Sequence, residues 1–109
     1  MPTPPEFLQG TVDVLILRTL AWKPMHGYAM TTFIRDRSNE ELSIEGAALY
    51  QALHRLQRQD LVKSKWGTSE TGRKVRIYEL SPAGRRHLAA HSAAWHRYAD
   101  AVARVLKPA

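Results

Sequence analysis

The chain has 109 residues, 44% of them hydrophobic and 24% charged, which is the make-up of one globular domain with no length left for a second. A formal net charge of +6 and a pI near 10.1 point to an anionic partner, either nucleic acid or a membrane surface. The absence of cysteine excludes disulfides, thiolate metal sites and cysteine nucleophiles together.

Residues 1–6, MPTPPE, are rich in proline and are expected to form an extended, flexible lead-in. They lack the basic start of a secretory signal, and no apolar run approaches the roughly 18 residues needed to cross a bilayer. The expectation is a cytoplasmic protein. From residue 9 to residue 22, Val12, Val14, Leu15, Ile16, Leu17, Leu20 and Ala21 nearly encircle a helix. A helix covered on two sides strains what one small domain can provide, so one of its faces is expected to meet a second copy of the chain.

Lys23-Pro24 ends that helix, because proline disfavours helical geometry in the residue before it. A second helix is expected from His26 or Gly27 to Arg37, burying Tyr28, Met30, Phe33 and Ile34. His26 beside Gly27 reads as a structural turn feature. Residues 38–42 form a polar link with Asn39 as a turn residue, and Ser43 is a candidate N-cap for the third helix. In that helix, about 44–59, Leu49, Ala52, Leu53 and Leu56 recur at i, i+3, i+4 and i+7 and form one buried stripe. Its other face carries Ala47, Ala48, Tyr50, Gln51, His54, Arg55 and Arg58. Small residues followed by polar and basic ones suit a helix that enters the major groove.

Residues 61–69 and 74–80 are enriched in Val, Ile, Tyr and Trp around a Glu70-Thr71-Gly72 turn, which predicts a hairpin over about 61–80. Lys63, Lys65, Arg73, Lys74 and Arg76 give that hairpin a basic surface able to lie along phosphates. Solubilising an exposed edge strand is the plainer role for such residues. The shared sign of helix and hairpin favours nucleic acid. Ser81-Pro82 then starts a long helix running to about Leu106, with Ser as N-cap and Pro in the first turn. Along it Leu88, Trp95 and Val102 fall seven apart, with Tyr98 and Val105 between the repeats and alanines around them. This spacing predicts packing against another helix, and a dimer partner is the favoured one.

The runs LQGTVDVLIL over 8–17, HGY over 26–28, GAALYQALHRL over 46–56, WG at 66–67, GRK over 72–74 and YELSPAGR over 78–85 closely resemble the PadR-like transcriptional regulators. The resemblance covers nearly the whole chain in the same order. It implies a mainly α fold with a small β-hairpin: a winged helix-turn-helix over 7–81 followed by a C-terminal dimerisation helix over 82–109. It also implies a dimeric, ligand-responsive repressor binding a pseudopalindromic operator, similar to the short subfamily that includes multidrug and phenolic-acid sensors. Carried over by position, the DNA contacts are Ala47, Tyr50, Gln51, His54 and Arg55 on the helix and Lys65, Arg73, Lys74 and Arg76 on the wing. Tyr50, Arg55 and the wing cations are expected at phosphates, with Gln51 and His54 at base edges. Gln51 departs from the family, where proline commonly follows the tyrosine, which bears on which bases or phosphates are touched.

Two readings compete at Trp95. It either fills the dimer seam with Val12, Leu88, Tyr98, Val102 and Val105, or it stacks, with Val12 near, on a small planar aromatic effector. His87, His91 and His96 lie close along the last helix, but without a neighbouring carboxylate they are a weak metal signal, and neither metal nor cofactor is expected. The ten acids show no paired-carboxylate or serine-histidine pattern and no glycine-rich phosphate loop is present, so an enzyme is not expected. The alternative from another class is a winged-helix adaptor that binds an acidic protein without operator specificity.

Overall fold

The structure is a computed structural model that describes residues 4–108, with side chains from Gly10 onward. Four helices and one hairpin occur in the order α1 (Pro4–Trp22), α2 (Gly27–Arg37), α3 (Gly46–Arg58), β1 (Val62–Thr68), β2 (Lys74–Leu80) and α4 (Pro82–Leu106). The fold is the expected one, mainly α with a two-stranded antiparallel wing. Helix α1 begins at Pro4 because proline suits a first helical turn, where its missing N–H costs nothing. The lead-in expected over 1–6 is therefore helical from residue 4, and residues 1–3 lie outside the described part.

Helix α1 is the centre of the molecule. Its Ile16, Leu17 and Leu20 are almost wholly shut off from water, and α2, α3, β2 and α4 all pack on it. Elements of the single chain thus cover the face that carries Ile16, Leu17 and Leu20, while Arg18 and Trp22 stay exposed and residues 11–15 are half-buried. The buried hydroxyl of Thr19 donates to the Leu15 carbonyl at 2.7 Å, which removes the cost of placing it there.

Helix α2 opens at His26, whose Nδ1 accepts from the Ala29 amide at 3.3 Å. Gly27, Met30 and Ile34 form its buried stripe, while Phe33 is half-buried. Tyr28, expected in the core, is 76% exposed, since one residue past Gly27 turns it about 100° away from that stripe. The polar link comes next, with Asn39 and Glu40 at positive φ. Ser43 does not cap α3. Ile44 first packs against the core in extended chain, so the helix starts at Gly46 with Glu45 at the N-cap and no capping side chain.

The stripe of α3 is buried as the spacing predicts, with Leu49, Ala52, Leu53 and Leu56 each at most 1% exposed. Strands β1 and β2 pair in the register Val62 with Leu80, Ser64 with Tyr78, Trp66 with Arg76 and Thr68 with Lys74. Met25, between α1 and α2, exchanges two backbone hydrogen bonds with Tyr78 at 3.1 and 2.9 Å and ties the wing to the helical body. Ser81 secures the other end: its hydroxyl donates to the Asp60 carbonyl at 2.7 Å and accepts from the Gly84 amide at 3.0 Å as the N-cap of α4.

Leu88, expected on a dimer seam, lies in the chain's own core, because the first turns of α4 still run beside α1. Every residue from 93 to 108 except Ala99 is exposed, although Trp95 still reaches α1, and the molecule extends 55 Å along its longest axis. Buried Gly84 sits against the Leu61 carbonyl and 2.8 Å, measured from where a Cβ would lie, from Leu80 Cδ1. Gly84→Ala should therefore push α4 off the wing base and cost about 1–3 kcal/mol, typical of overpacking, read as a lower urea midpoint in equilibrium unfolding.

Candidate nucleic-acid interface

With its apolar stripe turned inward, α3 presents Ala47, Tyr50, Gln51, His54 and Arg58 to solvent. They line an open groove of about 510 Å³ together with Arg55. The structure thus brings together residues that the sequence placed on the outer face, Arg58 among them although it was not among the expected DNA contacts. Tyr50 is fixed from below, since its phenol rests directly over Gly27 of α2, where any Cβ would collide with the ring. Glycine there is what lets the two helices approach closely enough to seat the tyrosine.

Arg55 behaves differently from its neighbours. Its Nη2 donates to Asp13 Oδ1 of α1 at 2.5 Å, and the two side chains are only 26% and 15% exposed. A guanidinium held in this way is turned from the open face towards the body. His87 of α4 is held below its ordinary pKa by burial and by the ring of His91, whereas the Asp13 charge works the other way. The His87 and His91 rings lie 4.0 Å apart. Among the described residues no three histidine or acidic side chains gather where a metal could sit.

The basic residues of the wing divide by strand alternation. Lys74 and Arg76 share the face of Trp66, while Lys65 lies on the opposite face and Arg73 in the turn. Lys74 Nζ and Arg76 Cζ lie over the Trp66 ring, 4.7 and 4.8 Å from its centroid. Each cation–π contact at such an exposed ring is worth about 0.5–1 kcal/mol, enough to favour this placement of the two cations on the ribbon. Nearer the body, burial pushes the Tyr78 phenol up in pKa, and so does neighbouring Tyr50, with Arg76 opposing them. A second groove of about 350 Å³ lies between α2 and α3, where Tyr28, Thr31, Thr32 and Arg35 face Ser43 and Tyr50.

The part played by α2 was not legible beforehand. Polar Thr31, Thr32 and Arg35 alternate with the buried stripe, a pattern that marks an exposed helical face but not what it borders. Trp66 as the support of the wing cations was missed as well. The alternation Trp66, Thr68 against Lys74, Arg76 across a tight turn was the available signal.

At the far end, Trp95 Nε1 donates to Thr11 Oγ1 of α1 at 3.3 Å, and the ring stands edge-on to His96. Val12 is half-buried and packs against the chain's own core. Trp95, Tyr98, Val102 and Val105 remain 36%, 42%, 37% and 83% exposed, a seam of apolar groups continuing beyond the body.

Comparisons with known proteins agree with this helix-turn-helix and wing architecture. Residues 16–90 match the model of the transcriptional regulator PadR-like family. The chain belongs to the PadR-like family. Among solved structures, a transcriptional regulator from Clostridium thermocellum is 26% identical with a TM-score of 0.83, over 94% of this chain and 99% of that one. A PadR family regulator from Eggerthella lenta is 30% identical with a TM-score of 0.77, over 95% and 88%. One from Clostridium difficile is 26% identical with a TM-score of 0.75, over 88% and 98%. Members of the PadR-like family are transcriptional regulators that bind DNA, not enzymes, and this chain is a regulator of that kind. Among the described residues no helix is long and apolar enough to cross a membrane.

Proposed function

We propose that this PadR-like chain is a homodimeric, ligand-responsive repressor that recognises a pseudopalindromic operator. The observation that carries the reading is the outer row of α3, where exposed Gln51, His54 and Arg58 line one groove; Lys74 and Arg76, lying over Trp66 on the wing, add basic charge to it. Gln51 and His54, short and polar, read base edges from the major groove. Tyr50, Arg58, Arg73, Lys74 and Arg76 meet phosphates, and Lys65, on the other face of the ribbon, reaches a phosphate only if the wing lies edge-on to the duplex. Two such faces, joined through α4, would stand about 34 Å apart, one turn of B-form DNA.

The exposed seam of Trp95, Tyr98, Val102 and Val105 supports the dimer. Its residues recur at three and four, the interval at which helices interlock, and their isolation in water is unfavourable by roughly 25 cal/mol for each Å² left uncovered. The indole of Trp95, hydrogen-bonded to Thr11, supports an effector site between α1 and α4 for a planar aromatic molecule.

Three measurements bear on this. Fluorescence anisotropy with duplexes from upstream of its own gene should show a steep fall of affinity with salt, and Lys74→Ala/Arg76→Ala should lower the log–log slope by about 4, one phosphate per cation in each of two protomers. Equal binding to operator and random duplex at about 150 mM salt would instead indicate an adaptor. Sedimentation should find dimers that Val102→Glu converts to monomers without loss of helical content. Planar cations or phenolic acids should quench tryptophan emission in the wild type, Trp22→Phe and Trp66→Phe but not in Trp95→Ala.

A further inference from the structure

Arg55 lies in the same groove as Gln51, His54 and Arg58 and carries the charge that a phosphate contact needs, yet it is spent on α1. The pair spans 42 positions of sequence and joins two helices at a site where both side chains are more than two-thirds shielded from water. Shielding matters, because an exposed ion pair exchanges readily for a phosphate in salt, whereas a sheltered one is screened much less. A guanidinium already neutralised by a carboxylate also displaces no counterion from DNA. Beside it Arg58, one turn further on and fully exposed, has no acid partner among the ion pairs found in the described residues.

We propose that Asp13 is a positioning residue of the DNA interface, which withholds Arg55 from the duplex backbone so that α3 docks through Gln51, His54 and Arg58. The proposal rests on the DNA-binding reading above and adds to it a determinant of specificity. A phosphate bond from Arg55 would strengthen binding to every sequence alike, since phosphates are the same everywhere. Keeping that charge occupied lowers the affinity for random DNA relative to the operator. Asp13 stands on α1, which also borders α4, so a shift of α4 against α1 would reach Arg55 through one carboxylate.

The test is the salt dependence of duplex binding by the full chain, measured with an operator fragment and a random duplex. Asp13→Asn keeps the shape of the side chain and removes its charge. The expected result is a slope steeper by about 2, one Arg55 from each protomer, with a several-fold gain in affinity for random DNA and a smaller ratio of operator to random binding. Asp13→Asn/Arg55→Gln should return the slope to the wild-type value. A merely structural role for the pair would weaken binding in Asp13→Asn and would not steepen the slope, so an unchanged or shallower slope overturns the proposal. Should Asp13→Asn fold poorly, as its melting curve will show, Arg55→Gln alone decides: an unchanged slope supports the proposal and a loss of about 2 overturns it. A wild-type chain that bound no duplex would instead overturn the DNA-binding reading itself, and this proposal with it.

Discussion

Leu49, Ala52, Leu53 and Leu56 are sealed beneath α3, and that burial fixes the rotation of the helix about its own axis. Each leucine removed from water contributes about 1.5–3 kcal/mol, so rotating the helix by even one residue would expose much of the stripe. Ile16, Leu17 and Leu20 of α1 lie in the same core and make that rotation costly. The polar groups of α3 therefore face outwards as a consequence of packing. Their display needs no separate device beyond Gly27, which gives Tyr50 its seat.

The wing depends on the same body through two small attachments. Met25 gives it a short third pairing at Tyr78, and Ser81 links the ends of α3 and β2 to the start of α4. Between these anchors and its tip the ribbon changes character along a single face: Val62, Leu80 and Tyr78 enter the core, Ser64 is half-buried, and Trp66 with Arg76 and Lys74 stands in water. The alternation that roots the hairpin thus also sorts its charges, setting Lys74 and Arg76 apart from Lys65. Seven of the sixteen basic residues lie on α3 and the hairpin, the two elements of the helix-turn-helix and wing that carry the exposed polar row and the ribbon.

Local patterns were legible in the sequence. The stripe of α3, the Ser81-Pro82 start, the hairpin turn, Asn39 in the link and the length of α4 all arise from periodicity and from residues with narrow backbone preferences. What escaped was set by distance and competition. Asp13 and Arg55 are far apart in the chain, and no spacing rule joins them. Ser43 is a good cap by chemistry but lost to Ile44, whose burial held the chain extended. Tyr28 looks like a core residue until the stripe is phased from Gly27. Leu88 fits a heptad with Trp95 and Val102 but is claimed by α1, since only the part of α4 beyond the body is free to meet another helix. Nearly encircling apolar residues on α1 signalled burial correctly, although its neighbours come from four elements of the same chain.

The central claim is that the packed α3 turns its exposed row into the major groove. Methylation protection reads this directly, because guanine N7 lies in the major groove and adenine N3 in the minor. The account predicts two clusters of protected guanine N7 positions, centred about one duplex turn apart, on an operator saturated with the protein. A saturated operator on which every guanine N7 stayed reactive would contradict it.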